Sequence, residues 1–516
     1  MSKTLSSILY QKQLEYSDLG ALKINDDVIS YKKLNSKALK LASYLISRGV
    51  SNKPIGIFGQ RKISHYVGIL AAIYSNCHYV PINKKYTNKK IREIIEAGEI
   101  KYVISSNSDL SDFNSLFSDL DLSEIIVPEC KSNNVNWIGE DIISEYDEYI
   151  PANKTRLNDL VYIMFTSGTT GKPKGVMVSN KNIVSWLKSM SIIYNFDKGF
   201  RSSQTYDLSF DLSVADMFFT WTNGGILCVL PENESLLPLD YIKREKINLW
   251  SSVPTLATFM FKLNLLNNNI FPDLKVSIFC GEPLPAKIAE AWQNAAPNST
   301  VENLYGPTEA TIWITRYKYS FNDSKNYNNT NLPIGKIFDN HELNLIDENG
   351  NLLINDNLGE IIYKGPQISL GYLNDKIKTD NNFVKFDWDK SDDIWYKSGD
   401  VGMFNDQGVL ECLGRVDNQI KIGGRRVEIG EIESGYKNFK KTKDAIVVPQ
   451  KDKNNIVTGL ICFITNSLTV EEELEIKKSI SIYVEKIFIP KKIISIKKFP
   501  LTTSGKIDRN QLQKLI

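Results

Sequence analysis

Residues 165–175 read Phe-Thr-Ser-Gly-Thr-Thr-Gly-Lys-Pro-Lys-Gly and follow the apolar run Leu160-Val161-Tyr162-Ile163-Met164. Gly168 and Gly171 let the backbone turn tightly with its N–H groups pointing inward. Thr166, Ser167, Thr169 and Thr170 add hydroxyl donors at the same place, and Lys172 and Lys174 supply positive charge. A short buried strand running into such a loop makes a socket for a polyphosphate. The loop is not of the Walker type, because Lys172 is followed by Pro173 and the glycine spacing is short. Composition alone also allows a flexible Gly/Thr surface loop.

A second constellation is Asn303-Leu304-Tyr305-Gly306-Pro307-Thr308-Glu309. Gly-Pro makes a turn that presents Tyr305, Thr308 and Glu309 on one surface. The ring suits stacking on a purine, the hydroxyl a phosphate oxygen and the carboxylate a magnesium ion. A plain surface turn is the alternative.

The elements that hold these motifs alternate in type. A helical pattern runs over 30–50 and ends near Gly49, followed by a strand at Ile55–Phe58, a helix over Val67–Ile73, and strands at Tyr79–Ile82 and Val103–Ile104. Such alternation predicts a parallel α/β sheet. Residues 105–123 and 321–331, rich in Ser, Asp and Asn, read as surface excursions. From about 335 the pattern shifts to short strands with turn signals (Leu343–Ile346, Leu358–Tyr363), which suggests a β-barrel-like subdomain. The last segment has strands at Ala445–Val448 and Gly459–Ile464 and a helix over Val470–Ile487. The expected organisation is a large N-terminal domain, 1–416, and a small mobile α+β C-terminal domain, 417–516.

The chain has 516 residues, with 62 Lys and Arg against 60 Asp and Glu, so no global attraction to nucleic acid or membrane follows. Six scattered cysteines without a C-x-x-C pair, and three histidines, argue against a disulfide framework or a zinc site. Without a signal region or a long apolar stretch, the expectation is a cytoplasmic monomer with no membrane insertion.

The phosphate-loop string closely resembles that of the adenylate-forming superfamily, which includes acyl-CoA ligases, luciferases and the adenylation domains of peptide synthetases. Further motifs follow in that family's order, from about position 30 to 510, so the resemblance covers nearly the whole chain. It implies ATP and Mg2+ as cofactors, with Glu309 as the metal ligand and Thr166 beside the phosphates. It implies that Asn303 meets the adenine edge, Tyr305 stacks on the base, and Gly281-Glu282 flanks the other face. Asp400, in Tyr396-Lys397-Ser398-Gly399-Asp400, would accept from both ribose hydroxyls, with Arg415 as the second ribose contact. Asp417 resembles the family's hinge, and Gly423-Gly424-Arg425-Arg426-Val427-Glu428 the loop that faces the catalytic centre after the hinge turns. Lys506, in Thr502-Thr503-Ser504-Gly505-Lys506, would bridge the substrate carboxylate and the phosphate.

Phe210-Asp211-Leu212-Ser213-Val214-Ala215-Asp216 bears on the substrate. In amino-acid-activating members the Asp of this motif pairs with the α-ammonium group, and a buried carboxylate without a cation is costly. The resemblance places Asp211, Leu212, Ala215, Ser251, Ile278, Cys280, Leu304, Ile312 and Trp313, with Lys506, around the substrate. Only Asp211 and Lys506 in that set are charged, which argues against a charged side chain. Trp313 narrows the pocket towards glycine, alanine, D-alanine, serine or cysteine, whereas Ala215 and Ser251 leave room. Segments 249–254 and 279–285 resemble D-alanine:carrier protein ligases, and Trp313 departs from their pattern.

The expected reaction is activation of an uncharged, small amino acid as aminoacyl-AMP, then transfer to the phosphopantetheine thiol of a carrier protein in trans. An acyl-CoA or aryl-acid ligase, and a non-catalytic nucleotide sensor on the same fold, are the alternatives.

Overall fold

The strand Leu160–Thr166, apolar along most of its length, runs at the centre of the phosphate-loop region and is answered by the antiparallel strand Lys174–Ser179. The expected phosphate loop is therefore the connection of a hairpin, with Thr166 directly opposite Lys174 at its mouth. The computed structural model describes residues 3–516 except 110–115, 117–119, 133–136, 150, 152–154, 167–172, 328–329, 354–356, 417–418, 438–443, 453–456, 482–483 and 502–506. The loop residues Ser167, Gly168, Thr169, Thr170 and Gly171, the expected hinge Asp417 and the expected catalytic Lys506 lie outside the described residues.

Two large, mainly parallel sheets frame the N-terminal part, one of nine strands and one of seven. The seven-stranded sheet holds Pro54–Phe58, His78–Ile82 and the phosphate-loop hairpin; the nine-stranded sheet holds Leu249–Ser252, Val276–Phe279 and Thr300–Tyr305. The central strands of the seven-stranded sheet, such as His78–Ile82 and Leu160–Thr166, are largely apolar runs, as expected where both faces are covered. Helix Tyr31–Ser47, capped by the Ser30 side chain, and helix Ile63–Tyr74 pack together in a core shared by both sheets. Ile63–Tyr74 is buried on nearly every side, so its sequence is apolar all round.

Strands Glu342–Ile346, Gly359–Lys364, Phe383–Val384, Trp395–Phe404 and Leu410–Arg415 make the five-stranded antiparallel sheet of the β-barrel-like subdomain. The C-terminal part has a hairpin, Gln419–Ile422 with Arg425–Glu428, and a sheet of Ala445–Lys451, Val457–Ile464 and Lys492–Ser495. That sheet has two apolar faces. On one, Ala445, Val447, Leu460 and Cys462 meet Ile422 and Val427 of the hairpin. On the other, Ile446, Val448, Ile461 and Phe463 meet Ile507 and Leu512.

Three local expectations change. Ser105, Ser106 and Asp109 are buried, Asp109 holding Lys84 at 2.7 Å, so this stretch of the 105–123 segment is internal. Residues Asp323–Asn326 form one helical turn inside the expected 321–331 loop. The helix expected over Val470–Ile487 stops at Ile480, and Lys486–Phe488 form a separate 3-10 turn.

Candidate active site

The motifs converge on one cleft between the large sheets and the C-terminal hairpin, lined by Thr166, Asp211, Leu212, Cys280, Gly281, Gly306, Thr308, Asp400 and Arg415 among others. Apart from Asp400, which lies within strand Trp395–Phe404, they stand at or next to a strand end or a helix start, where side chains project beyond the sheet edge. A larger cavity, about 1220 Å³, lies elsewhere, beside Lys181, Lys188 and Lys318, and none of the motif residues lines it.

Asp211 immediately precedes helix Leu212–Thr222, yet its side chain makes no capping bond to that helix. An aspartate at this position ordinarily satisfies the helix N-terminus. Here the carboxylate turns into the cleft, where Thr308 and the Ile312 backbone hydrogen-bond it and Oδ2 is buried without a partner. Burial raises its pKa from 3.8 to about 7. A buried, half-satisfied carboxyl group of this kind is a receptor for one cation.

Thr166 Oγ1 is also buried without a partner, at the mouth of the phosphate-loop hairpin. Opposite it, Lys174 is buried, 3.2 Å from Glu309 and 4.7 Å from the centre of the Tyr372 ring. Burial lowers the Lys174 pKa to about 8. Glu309 is wholly buried yet stays ionised: although burial opposes the charge, Lys174, Arg426 at 3.4 Å and the Tyr372 hydroxyl at 2.8 Å hold it well below the usual carboxylate range.

Asp400 receives the Tyr305 hydroxyl on one oxygen and Arg415 on the other, the latter at 2.7 Å. Each carboxylate oxygen has a further lone pair, so ribose hydroxyls remain acceptable partners. Asn303 is committed more deeply than expected: its Nδ2 donates to the carbonyls of Pro333, at 2.8 Å, and Leu332. Only its Oδ1 is left to receive the amino group of a purine. The Glu282 side chain has partners of its own. Its carboxylate accepts from the backbone and hydroxyl of Thr255 and, at 2.8 Å, from the backbone N–H of Gly424 on the C-terminal hairpin.

One helical turn from Asp211, Ala215 lines a recess of about 10 Å³, walled also by Ser251, Ile278 and Trp313 and by Trp186, Met190, Tyr194 and Asp216. Leu212 and Cys280 belong to the cleft, while Leu304 and Ile312 are buried without lining either space. Trp313 stands edge-on to Trp186 at 5.5 Å and donates its indole N–H to Met190 Sδ at 3.2 Å, so the wall is fixed.

Two contributors escaped the sequence. Asp216 brings a carboxyl group to the recess, where burial raises its pKa well above the usual carboxylate range. An acid within the apolar helix Leu212–Thr222 was the available signal. Gln367 belongs to no motif. It is fully buried, and its Nε2 donates to the carbonyls of Ala310, Thr311 and Trp313. These surround Thr311 and Ile312, both left-handed at φ 59° and 74°. A β-branched residue there is strained and must be held. Gly306 lets this turn fold back, since a Cβ on it would lie 2.4 Å from Trp313 Cα.

Residues 10–373 match the AMP-binding family, described as AMP-binding enzyme. The D-alanine–D-alanyl carrier protein ligase of Staphylococcus haemolyticus is 31% identical, with 95% of each chain covered. Zwittermicin A synthase ZmaJ of Bacillus cereus is 29% identical over 100% of this chain and 95% of its own. Among solved structures, the Vibrio cholerae adenylation domain AlmE, in complex with glycyl-adenosine-5'-phosphate, is 27% identical with a TM-score of 0.88, covering 100% of this chain and 98% of that one. With the cleft built from the same ordered motifs, and the match running through most of the chain, this protein belongs to the AMP-binding enzyme family and is an ATP-dependent adenylating ligase.

Proposed function

We propose that the protein activates glycine or alanine as the aminoacyl-adenylate and passes it to the phosphopantetheine thiol of a separate carrier protein. The observation that carries this reading is the recess one helical turn from Asp211. Its small free space, about 10 Å³, favours a hydrogen or a methyl group over a longer side chain. The pinned Trp313–Trp186 wall keeps it so. The nature of the relatives supports the same class, since one is a D-alanine–carrier protein ligase and another holds glycyl-adenylate.

Asp211 pairs with the α-ammonium group and thereby places the carboxylate towards Thr308 and the phosphate-loop hairpin. That carboxylate attacks the α-phosphorus of ATP, forming the acyl–phosphate bond and releasing pyrophosphate. Positioning and charge stabilisation do the catalysis, with no covalent enzyme intermediate. Asp400 and Arg415 hold the ribose, Tyr305 the base, and Lys506 meets the charge developing towards pyrophosphate. The donor set fits Mg2+, which takes one or two carboxylates together with substrate phosphates. Glu309, ionised although buried, would hold it, and the ion would neutralise phosphate charge. In the second step the thiol attacks the acyl carbon and AMP leaves, after the C-terminal part turns about Asp417.

Pyrophosphate exchange with glycine, L-alanine, D-alanine, serine, cysteine, valine and phenylalanine tests the reading. Exchange with glycine or one alanine isomer is expected. Preference for valine or phenylalanine overturns the size argument. Exchange only with non-amino acids points to an acyl ligase, and none at all to a sensor.

A further inference from the structure

The C-terminal hairpin reaches the cleft through its Gly423-Gly424 turn, both residues at positive φ. Gly424 has no room for a side chain: a Cβ would stand 2.5 Å from Val253 Cγ1 of the N-terminal part. The next residue, Arg425, does something else. Its guanidinium group lies 2.8 Å from Asp207, on the segment leading to the Asp211 motif, and 2.5 Å from Glu485, on the C-terminal part's own 484–488 stretch. Glu485 in turn receives Lys90 at 3.0 Å, from helix Asn88–Ala97 of the N-terminal part. Charges thus alternate along Asp207–Arg425–Glu485–Lys90, and the chain of pairs crosses the boundary twice. Aromatic rings back both cations: Lys90 sits 4.1 Å from the centre of Tyr86 and Arg425 5.8 Å from that of Phe210.

An isolated surface pair contributes little, but this network is largely withdrawn from solvent, with Glu485 and Lys90 only 6% and 15% exposed. Its members gain from one another only when the hairpin is seated. None of the four is among the residues placed on ATP or the amino acid. We infer that Arg425 is a positioning residue for the thiol-transfer step, latching the hairpin over the cleft through Asp207 and, by way of Glu485, Lys90. The inference rests on the proposed two-step reaction and assigns this seated hairpin to its second step.

The test uses the full chain with its activated amino acid and 4′-phosphopantetheine as thiol probe, in Arg425→Ala, Asp207→Asn, Lys90→Met and the Arg425→Ala/Asp207→Asn double variant. Pyrophosphate exchange reports the first step and also that each variant is folded. Thioester formation, followed by mass spectrometry, reports the second. The expected result is unchanged exchange in every variant and roughly tenfold slower thioester formation in each single variant, the size of one lost charge-assisted contact. The double variant should be no slower than Arg425→Ala alone, since both changes break one link. Arg425→Lys, keeping the charge but not the fork, should recover part of the rate. Thioester formation at the wild-type rate in all single variants overturns the latch, as does parallel loss of exchange and transfer, which would mark a merely structural role. Absence of exchange in the wild type would sink the function itself, a different failure.

Discussion

At Asp211 the chemistry and the stability of one carboxyl group pull in opposite directions. Burial raises its pKa from 3.8 to about 7. The folded state therefore binds the proton more tightly than the unfolded one. Without substrate, this group's contribution to stability falls as pH rises from about 4 to 7 and is flat above, by a total on the order of 4 kcal/mol. The proposed pairing with the substrate ammonium group needs the ionised form. Below pH 7 the KM for the amino acid should rise about tenfold per pH unit, with kcat at saturation unchanged. In Asp211→Asn that pH dependence should vanish and KM should rise about a hundredfold, the cost of removing one partner of a buried pair. The same variant, free of the desolvated charge, should melt at least as high as the parent at pH 8. A pH series of pyrophosphate exchange, with melting curves alongside, checks each part, and a lower melting temperature for Asp211→Asn would contradict the account.

At the scale of elements, the turn at Thr311–Ile312 links the Asn303–Glu309 motif to the wall of the recess. Strand Thr300–Tyr305 carries Asn303 and Tyr305, Gly306 permits the fold-back, and Gln367 fastens the strained turn from a distant segment. Gln367→Leu keeps the volume but leaves three buried carbonyls short of a donor, costing roughly 1–3 kcal/mol. Exchange with glycine should weaken mainly through KM, because Trp313 and the Ile312 N–H to Asp211 lose their fixed place. Partial exchange with valine should appear as the recess loosens, and substrate profiling reads both effects. The family resemblance makes Asp211, in the Phe210–Asp216 motif, and Trp313 legible, and apolar runs and turn residues, which act locally, make strands such as Ile55–Phe58 and Tyr79–Ile82 legible in the sequence. Gln367 is illegible there: a glutamine 54 residues from Trp313 gives no periodic signal, and its role exists only once the backbone has bent. The side-chain contacts of Glu282 are illegible for a related reason, since its partners Thr255 and Gly424 come from elements far apart in the chain. The end of the helix at Ile480 is missed because the apolar residues beyond it, Val484 and Phe488, serve the same core from outside the helix.

The whole molecule poses a geometric problem that its C-terminal sheet answers. The hairpin bearing Gly424, Arg425 and Arg426 packs against one face of that sheet, and Ile507, next to Lys506, packs against the other. In a strand, alternate residues serve opposite faces, so the two groups are held apart by the sheet itself. With the hairpin in the cleft, where Arg426 meets Glu309 and Gly424 meets Glu282, the face carrying Ile507 is the other one. We propose that Lys506 serves the same cleft after the C-terminal part turns; the proposed hinge, Asp417, precedes the hairpin's first strand, Gln419–Ile422, in the chain. The two half-reactions should then be separable by one substitution on each face. Lys506→Ala should slow adenylation by about 3–4 kcal/mol, the worth of one transition-state donor. It should leave transfer from presynthesised glycyl- or alanyl-adenylate to 4′-phosphopantetheine close to the parent rate, because that step uses the hairpin face. Equal loss in both assays would mean that a single arrangement of the C-terminal part serves the whole reaction and that the sheet does not turn.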